Sequence, residues 1–147
     1  VRITNSGYYS KSQKFTGIAS IMASGRRFLI LRAAVGTTAV DFYNYIRAFL
    51  ATIAPGHQRL VFMWDNLKAH ISPALVQLIY ANGHRIVQRP PYRPVDGPIE
   101  YIFNQLECGI RRNLYLIRGD NDLLACADAV FANLTGFDDT FHHCGYH

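Results

Sequence analysis

Leu60-Val61-Phe62-Met63-Trp64-Asp65-Asn66 is the stretch that decides how this 147-residue chain folds. The apolar run is short and bounded by turn residues, so Arg59–Trp64 reads as a buried strand rather than a helix. Strands of this kind belong to α/β sheets. The acid that ends this one, Asp65, stands at the carboxyl end of the strand, where open α/β sheets gather their ligands.

On the carboxyl side, Ser72-Pro73 combines an N-cap with proline at the first helical position and opens a helix that ends near Asn82-Gly83. Arg85–Gln88 follows as a brief strand. The segment from Arg89 to Pro98 carries too many prolines for regular structure and reads as a stiff, extended loop that delivers the next helix. In that helix Ile99, Ile102, Phe103, Leu106 and Ile110 form the buried stripe, with Glu100, Asn104, Glu107 and Arg111 on a neighbouring face. A last helix over Asn121–Leu134 turns Leu123, Ala127, Val130, Phe131 and Leu134 to one side.

On the amino side, residues 14–22 and 27–33 read as two strands of a hairpin around Ala23-Ser24-Gly25-Arg26. From Thr38 to Ala54, Phe42, Ile46, Phe49, Leu50 and Ile53 recur at helical spacing until Pro55-Gly56 stops them. Hairpin, helix, strand, helix, strand, helix is an α/β order with an antiparallel edge and a βαβ unit, short enough in its connections for one mixed sheet flanked by helices.

Composition narrows the class. The length suits a single domain with a sizeable core. Cys108, Cys126 and Cys144 are an odd number without a C-x-x-C pair, which predicts free thiols in a reducing compartment rather than disulfides or a zinc ribbon. No apolar stretch approaches the roughly 20 residues of a membrane helix, and no charged-then-apolar leader is present, so a soluble protein is expected. The chain begins with Val1, which suggests a piece of something longer. The net charge of +5 is unevenly placed: residues 1–112 hold 14 of the 15 Lys and Arg against five acids, and the tail from residue 113 is acidic. A basic body suits a polyanion such as nucleic acid, and serves solubility equally well.

The second informative acid is Glu100, with thirty-four residues between it and Asp65. Two carboxylates brought together suit a hard divalent cation, with Asn66 and His70 in support. Each acid also has an ordinary structural reading. Asp65 and Asn66 fit a turn after a strand, and Glu100 sits two residues after Pro98, where an acid complements the helix dipole and can reach back to cap free amides.

Trp64-Asp65-Asn66 with His70, followed by Pro90-Pro91-Tyr92, Pro94 and Pro98-Ile99-Glu100, resembles the catalytic core of mariner-type and related insertion-sequence transposases, the DDE superfamily endonucleases. The resemblance is close over residues 60–112, follows element order over residues 14–54, and finds an echo in the closing Phe141-His142-His143-Cys144-Gly145-Tyr146. It implies an RNase H-like fold. It implies that Asp65 and Glu100 are the second and third metal-binding acids, holding Mg2+ or Mn2+ for hydrolysis and strand transfer, with DNA (transposon ends and target) as partner and a homodimer as assembly. Lys68, Arg89 and Arg93 would hold the DNA backbone, or are ordinary solvated charge. The location implied is the nucleus in a eukaryote, otherwise the cytoplasm and nucleoid.

The departures matter too. Arg93, Val95, Asp96 and Gly97 replace the family's Ser, Asp, Leu and Asn, and Glu107 stands where lysine is common. The family's first acid lies on the first, central strand, upstream of the hairpin. The only earlier acid here is Asp41, three residues after Thr38, better read as half of a capping pair, so the first role passes to no residue. Residues 1–9 make a poor strand. The expectation is therefore an N-terminally truncated catalytic domain over 1–147, lacking the first strand and its acid and inactive alone. The alternative is a catalytically lapsed, transposase-derived nucleic-acid-binding module; a decaying fragment that does not fold stably is a third reading. His142, His143, Cys144 and His147 read as a mobile tail rather than a zinc site, and His84 as a helix-end residue.

Overall fold

The computed structural model describes residues 2–4, 14–32, 36–54, 56, 58–64, 71–89 and 97–146. Its elements run β1 (Arg2–Thr4), β2 (Lys14–Ile21), β3 (Arg27–Arg32), α1 (Ala39–Ala51), β4 (Val61–Trp64), α2 (Pro73–Ala81), β5 (Arg85–Gln88), α3 (Pro98–Arg112), a 3-10 turn (Leu114–Leu116), α4 (Asp120–Asn133) and α5 (Phe137–His143). They fall into two compact units: Val1–Gly36 with Pro94–His147, and Thr37–Arg93. Where one mixed sheet was expected, the described strands pair as two sheets, one antiparallel in the order β1-β2-β3 and one parallel, β4-β5.

In the first unit, β2 and β3 form the expected hairpin, with Ile18 opposite Ile30 and Ile21 opposite Arg27. The turn closes through Gly25 N–H to the Met22 carbonyl at 2.9 Å and Met22 N–H to the Arg26 carbonyl at 2.8 Å. Gly25 has φ +89°, a conformation that only glycine enters without steric cost. Alternation along the strands puts Phe15, Ala19 and Ile21 of β2 and Leu29 and Leu31 of β3 in one hydrophobic cluster with Ile102, Leu106 and Ile110 of α3, Leu123, Ala127 and Phe131 of α4, and Phe137 of α5. The fully buried Leu, Ile and Phe side chains of this set contribute about 1.5–3 kcal/mol each, with Ala19, Ile21, Leu29 and Leu31 partly buried against them, so this shared core holds the three helices against the hairpin.

Two elements of this unit depart from the sequence expectation. Residues 1–9 read as a poor strand, yet Arg2–Thr4 pairs antiparallel with β2, Ile3 opposite Phe15. Three residues show too little pattern to be read as a strand; pairing with an existing strand is what orders them. Of the residues read as a tail, His142 and His143 end α5, Cys144 is its C-cap and His147 lies outside the described residues; the buried Phe137 anchors the helix to the core.

Arg27 ties these pieces together. Its guanidinium donates to the carbonyls of Phe131 at 2.8 Å and Leu134 at 2.5 Å and lies 4.2 Å over the Phe137 ring. Those carbonyls lie at the C-terminal end of α4, where acceptors run short of helical donors and the dipole also favours a cation.

In the second unit, α1 opens with the expected capping pair. Thr38 N–H donates to the Asp41 carboxylate at 2.9 Å and Asp41 N–H to the Thr38 hydroxyl at 3.2 Å. Asp41 is thereby a capping residue. Tyr45, Ile46 and Phe49 of α1 are buried, as are Phe62 of β4 and Leu75 and Ile79 of α2. Ser72 caps α2 by accepting from Leu75 N–H at 3.2 Å, with Pro73 at the first helical position. His84 closes the end of α2 as expected, its backbone N–H donating to the Ile79 carbonyl at 3.1 Å, and its side chain is buried. Its Nδ1 accepts the Leu60 N–H at 3.1 Å, so its proton sits on Nε2, and its ring lies 5.9 Å from that of Phe62. Among the described residues no helix is long and apolar enough to cross a membrane, and all three cysteines are free.

Candidate metal-binding and nucleic-acid site

The strand that leads to Asp65 is firmly held. β4 and β5 pair parallel from Val61–Arg85 to Trp64–Gln88, and the ladder is extended by Arg85 N–H to the Leu60 carbonyl at 2.9 Å and Arg89 N–H to the Trp64 carbonyl at 3.1 Å. Phe62 meets Phe49 edge-on with ring centres 5.8 Å apart, and Trp64 meets Phe42 at 5.5 Å. Such aromatic pairs contribute about 0.5–1.5 kcal/mol beyond their buried area. The chain thus leaves β4 at Trp64 with its last strand residue packed in place. The Trp64 indole Nε1 is buried and has no hydrogen-bond partner among the described residues. A buried donor of this kind costs about 1–3 kcal/mol unless an oxygen acceptor reaches it.

Asp65, Asn66, Lys68, His70 and Arg93 lie outside the described residues. Arg89 is described and is buried, 7% exposed, where the sequence suggested a solvated cation. A buried guanidinium does not offer the open contact to a DNA backbone that an exposed one would.

Glu100 stands at the third position of α3. The helix starts at Pro98, whose fixed φ suits the first turn, after Gly97, which has no side chain with which to cap it. Glu100 N–H donates to the Gly97 carbonyl at 3.1 Å. Its carboxylate is exposed, and among the described residues it accepts no hydrogen bond and meets no cation. The reach-back cap that the sequence allowed is therefore not made, and the carboxylate is available to a ligand. The helix beneath it is fixed: Ile102 and Leu106 are fully buried, and Tyr101 packs edge-on against His143 of α5 at 5.3 Å. At the other end Glu107 pairs with Arg111 at 2.6 Å, an exposed contact one helical turn long.

The oxygen donors present suit a hard cation better than a soft one. Among the described residues no three His, Cys, Asp or Glu gather into a metal-binding group, and His142, His143 and Cys144 form none on or after α5. β1 carries Arg2, Ile3 and Thr4 and so contributes no acid. The sequence does not predict β1 and α5, and neither belongs to a metal-binding group among the described residues.

None of the curated proteins matches the chain. The family model of the DDE superfamily endonucleases matches residues 5–120, which include β2 to α3 and both Asp65 and Glu100. Endonucleases of this superfamily use divalent metal ions, and the domain implies DNA as its partner. A packed strand ending at Trp64, an unspent carboxylate at the start of α3 and a match over most of the chain lead to one conclusion: this chain belongs to the DDE superfamily endonucleases.

Proposed function

We propose that the chain is the nuclease and strand-transfer domain of a mariner-type, cut-and-paste DNA transposase, that it acts on transposon-end DNA by metal-dependent phosphoryl transfer, and that it is inactive alone. The observation that carries this reading is the Glu100 carboxylate, exposed and uncommitted on an otherwise well-packed helix. Asp65 and Glu100 are the ligands assigned to Mg2+ or Mn2+, with Asn66 and His70 in support and Lys68 and Arg93 on the DNA backbone. Arg89 joins them only if its side chain leaves its buried position. A bound divalent ion would supply a nucleophile at neutral pH and neutral charge balance at the leaving oxygen. The chain's own part is to present the two carboxylates and hold the DNA strand against them.

Inactivity is proposed because no acid precedes Asp41 to take the family's first role, and Asp41 is itself the capping partner of Thr38. Two carboxylates leave more of the cation's coordination to water and substrate oxygens, which loosens the geometry that an in-line displacement needs. An RNase H-like fold is supported by the antiparallel β1-β2-β3 meander and the parallel β4-β5 pair, each within its own unit. A homodimer, and the nucleus or nucleoid as location, complete the proposal.

The missing acid also favours a second reading, a catalytically lapsed module that keeps only polyanion binding. Calorimetric titration of Mn2+ into the full chain, together with cleavage of duplex DNA in Mg2+ or Mn2+, separates the two. Metal binding that weakens in both Asp65→Ala and Glu100→Ala, without efficient cleavage, is the expected outcome. Efficient cleavage would overturn the inactivity. DNA binding that falls steeply with salt but ignores metal and both substitutions would favour the lapsed module.

A further inference from the structure

The segment between α3 and α4 exposes two consecutive large apolar side chains. Tyr115 is 73% exposed and Leu116 58%, on the 3-10 turn Leu114–Leu116. The turn is fastened at both ends. Leu116 N–H donates to the Asn113 carbonyl at 3.0 Å, Ile117 N–H to the Leu114 carbonyl at 3.1 Å, and the Asn113 amide to the Gly109 carbonyl at 2.8 Å. On the far side Ile117 is buried and Arg118 N–H donates to the Asp122 carboxylate at 3.0 Å. The Tyr-Leu knuckle is thus held outward by a backbone already ordered, and a ligand that meets it orders little further chain.

Its charged surroundings narrow the ligand. Arg112 and Arg118 lie three residues to either side, within about 11 Å along the chain. Arg111 is engaged with Glu107, but no acid pairs with the side chain of Arg112 or Arg118 among the described residues. An exposed aromatic between free guanidinium groups matches a strand whose phosphates and base faces alternate. A duplex keeps its base faces stacked and hidden, and two side chains expose far less than the roughly 1,200 Å² that a stable protein interface buries.

We propose that this knuckle is a contact for single-stranded or end-frayed DNA, with Tyr115 stacking on an unpaired base and Arg112 and Arg118 on the flanking phosphates. The proposal rests on the DNA-acting reading above and adds a surface separate in sequence from the Asp65 and Glu100 segments. Because all three side chains are exposed, substitutions here leave the core untouched.

The test is fluorescence anisotropy of the full chain with a labelled oligonucleotide, single-stranded or annealed to its complement. Wild type is expected to prefer the single strand. Tyr115→Ala should weaken that binding about tenfold with little change in salt dependence, and Tyr115→Phe should keep it. Arg112→Gln and Arg118→Gln should each lower the slope against log salt by about 0.7. Tyr115→Ala that binds the single strand as tightly as wild type would overturn the knuckle alone, as would an equal loss on duplex. Wild type that binds neither form would instead sink the DNA-acting reading. A dimer that Tyr115→Ala dissociates in gel filtration would overturn the proposal in favour of self-association.

Discussion

Replacing Gly109 with alanine tests the packing that holds the Glu100 helix. Gly109 lies in α3 where α4 passes closest: a β-carbon there would fall 2.4 Å from Val130 Cγ1 and 3.4 Å from Cγ2. Carbon atoms settle at about 3.5–4.0 Å, so the two helices must part by roughly 1 Å or Val130 must leave its rotamer. Val130 has little room to turn, because a β-branched residue in a helix has one strongly preferred χ1. Overpacking of this kind costs about 1–3 kcal/mol, against which alanine regains about 1 kcal/mol of helix propensity. Gly109→Ala should therefore destabilise the chain by up to about 2 kcal/mol, read as a lower urea midpoint at unchanged slope.

The sign should reverse when the obstructing methyls are removed. In a Val130→Ala background the added β-carbon has nothing comparable to strike, and Gly109→Ala should then stabilise by about 1 kcal/mol through helix propensity alone. Stabilisation in the wild-type background, or the same effect in both backgrounds, would refute the close approach of α3 to α4.

Two further perturbations have clear directions. Arg27→Ala should cost about 2–3 kcal/mol, since it strips the α4 carbonyls of their donor and Phe137 of its cation, and Arg27→Lys should recover less than half because an ammonium cannot reproduce the planar fork; equal stability of the lysine variant in a thermal melt would count against this. Burial raises the thiol of Cys126 above its ordinary 9.0, while Cys108 is exposed, so alkylation followed by mass spectrometry should label Cys108 first, with Cys126 gaining reactivity only as pH climbs past that ordinary value; the unfolded thiol ionises before the folded one, so the same group withdraws stability at high pH. Equal labelling of the two near neutral pH would contradict the burial.

Two candidate acids are legible in the linear chain. Asp65 and Glu100 each stand beside a boundary signal, the end of an apolar run and a proline at a helix start, and the family match spans both. What the sequence left open for Glu100, cap or ligand, was a question of one hydrogen bond, and the structure answers that the cap is not made. Arg89 shows the opposite failure. Its charge suggested exposure, but burial depends on what packs around a residue, which sequence position alone does not report.

The features that the sequence determined by itself are those written within a few residues: the Thr38–Asp41 capping pair, the Ser72-Pro73 helix start, the Gly25 turn and the alternating face of β2. Each is a contact between near neighbours, set by backbone geometry that repeats every two or four residues. Only the tertiary structure decided that Arg27 caps a helix more than a hundred residues away, that three residues at the start become a strand, that Phe137 turns the C-terminal segment into a helix, and that Gly109 must stay small beneath Val130. Those contacts join segments far apart in the chain, and they exist only once the shared core has formed and brought the partners into reach.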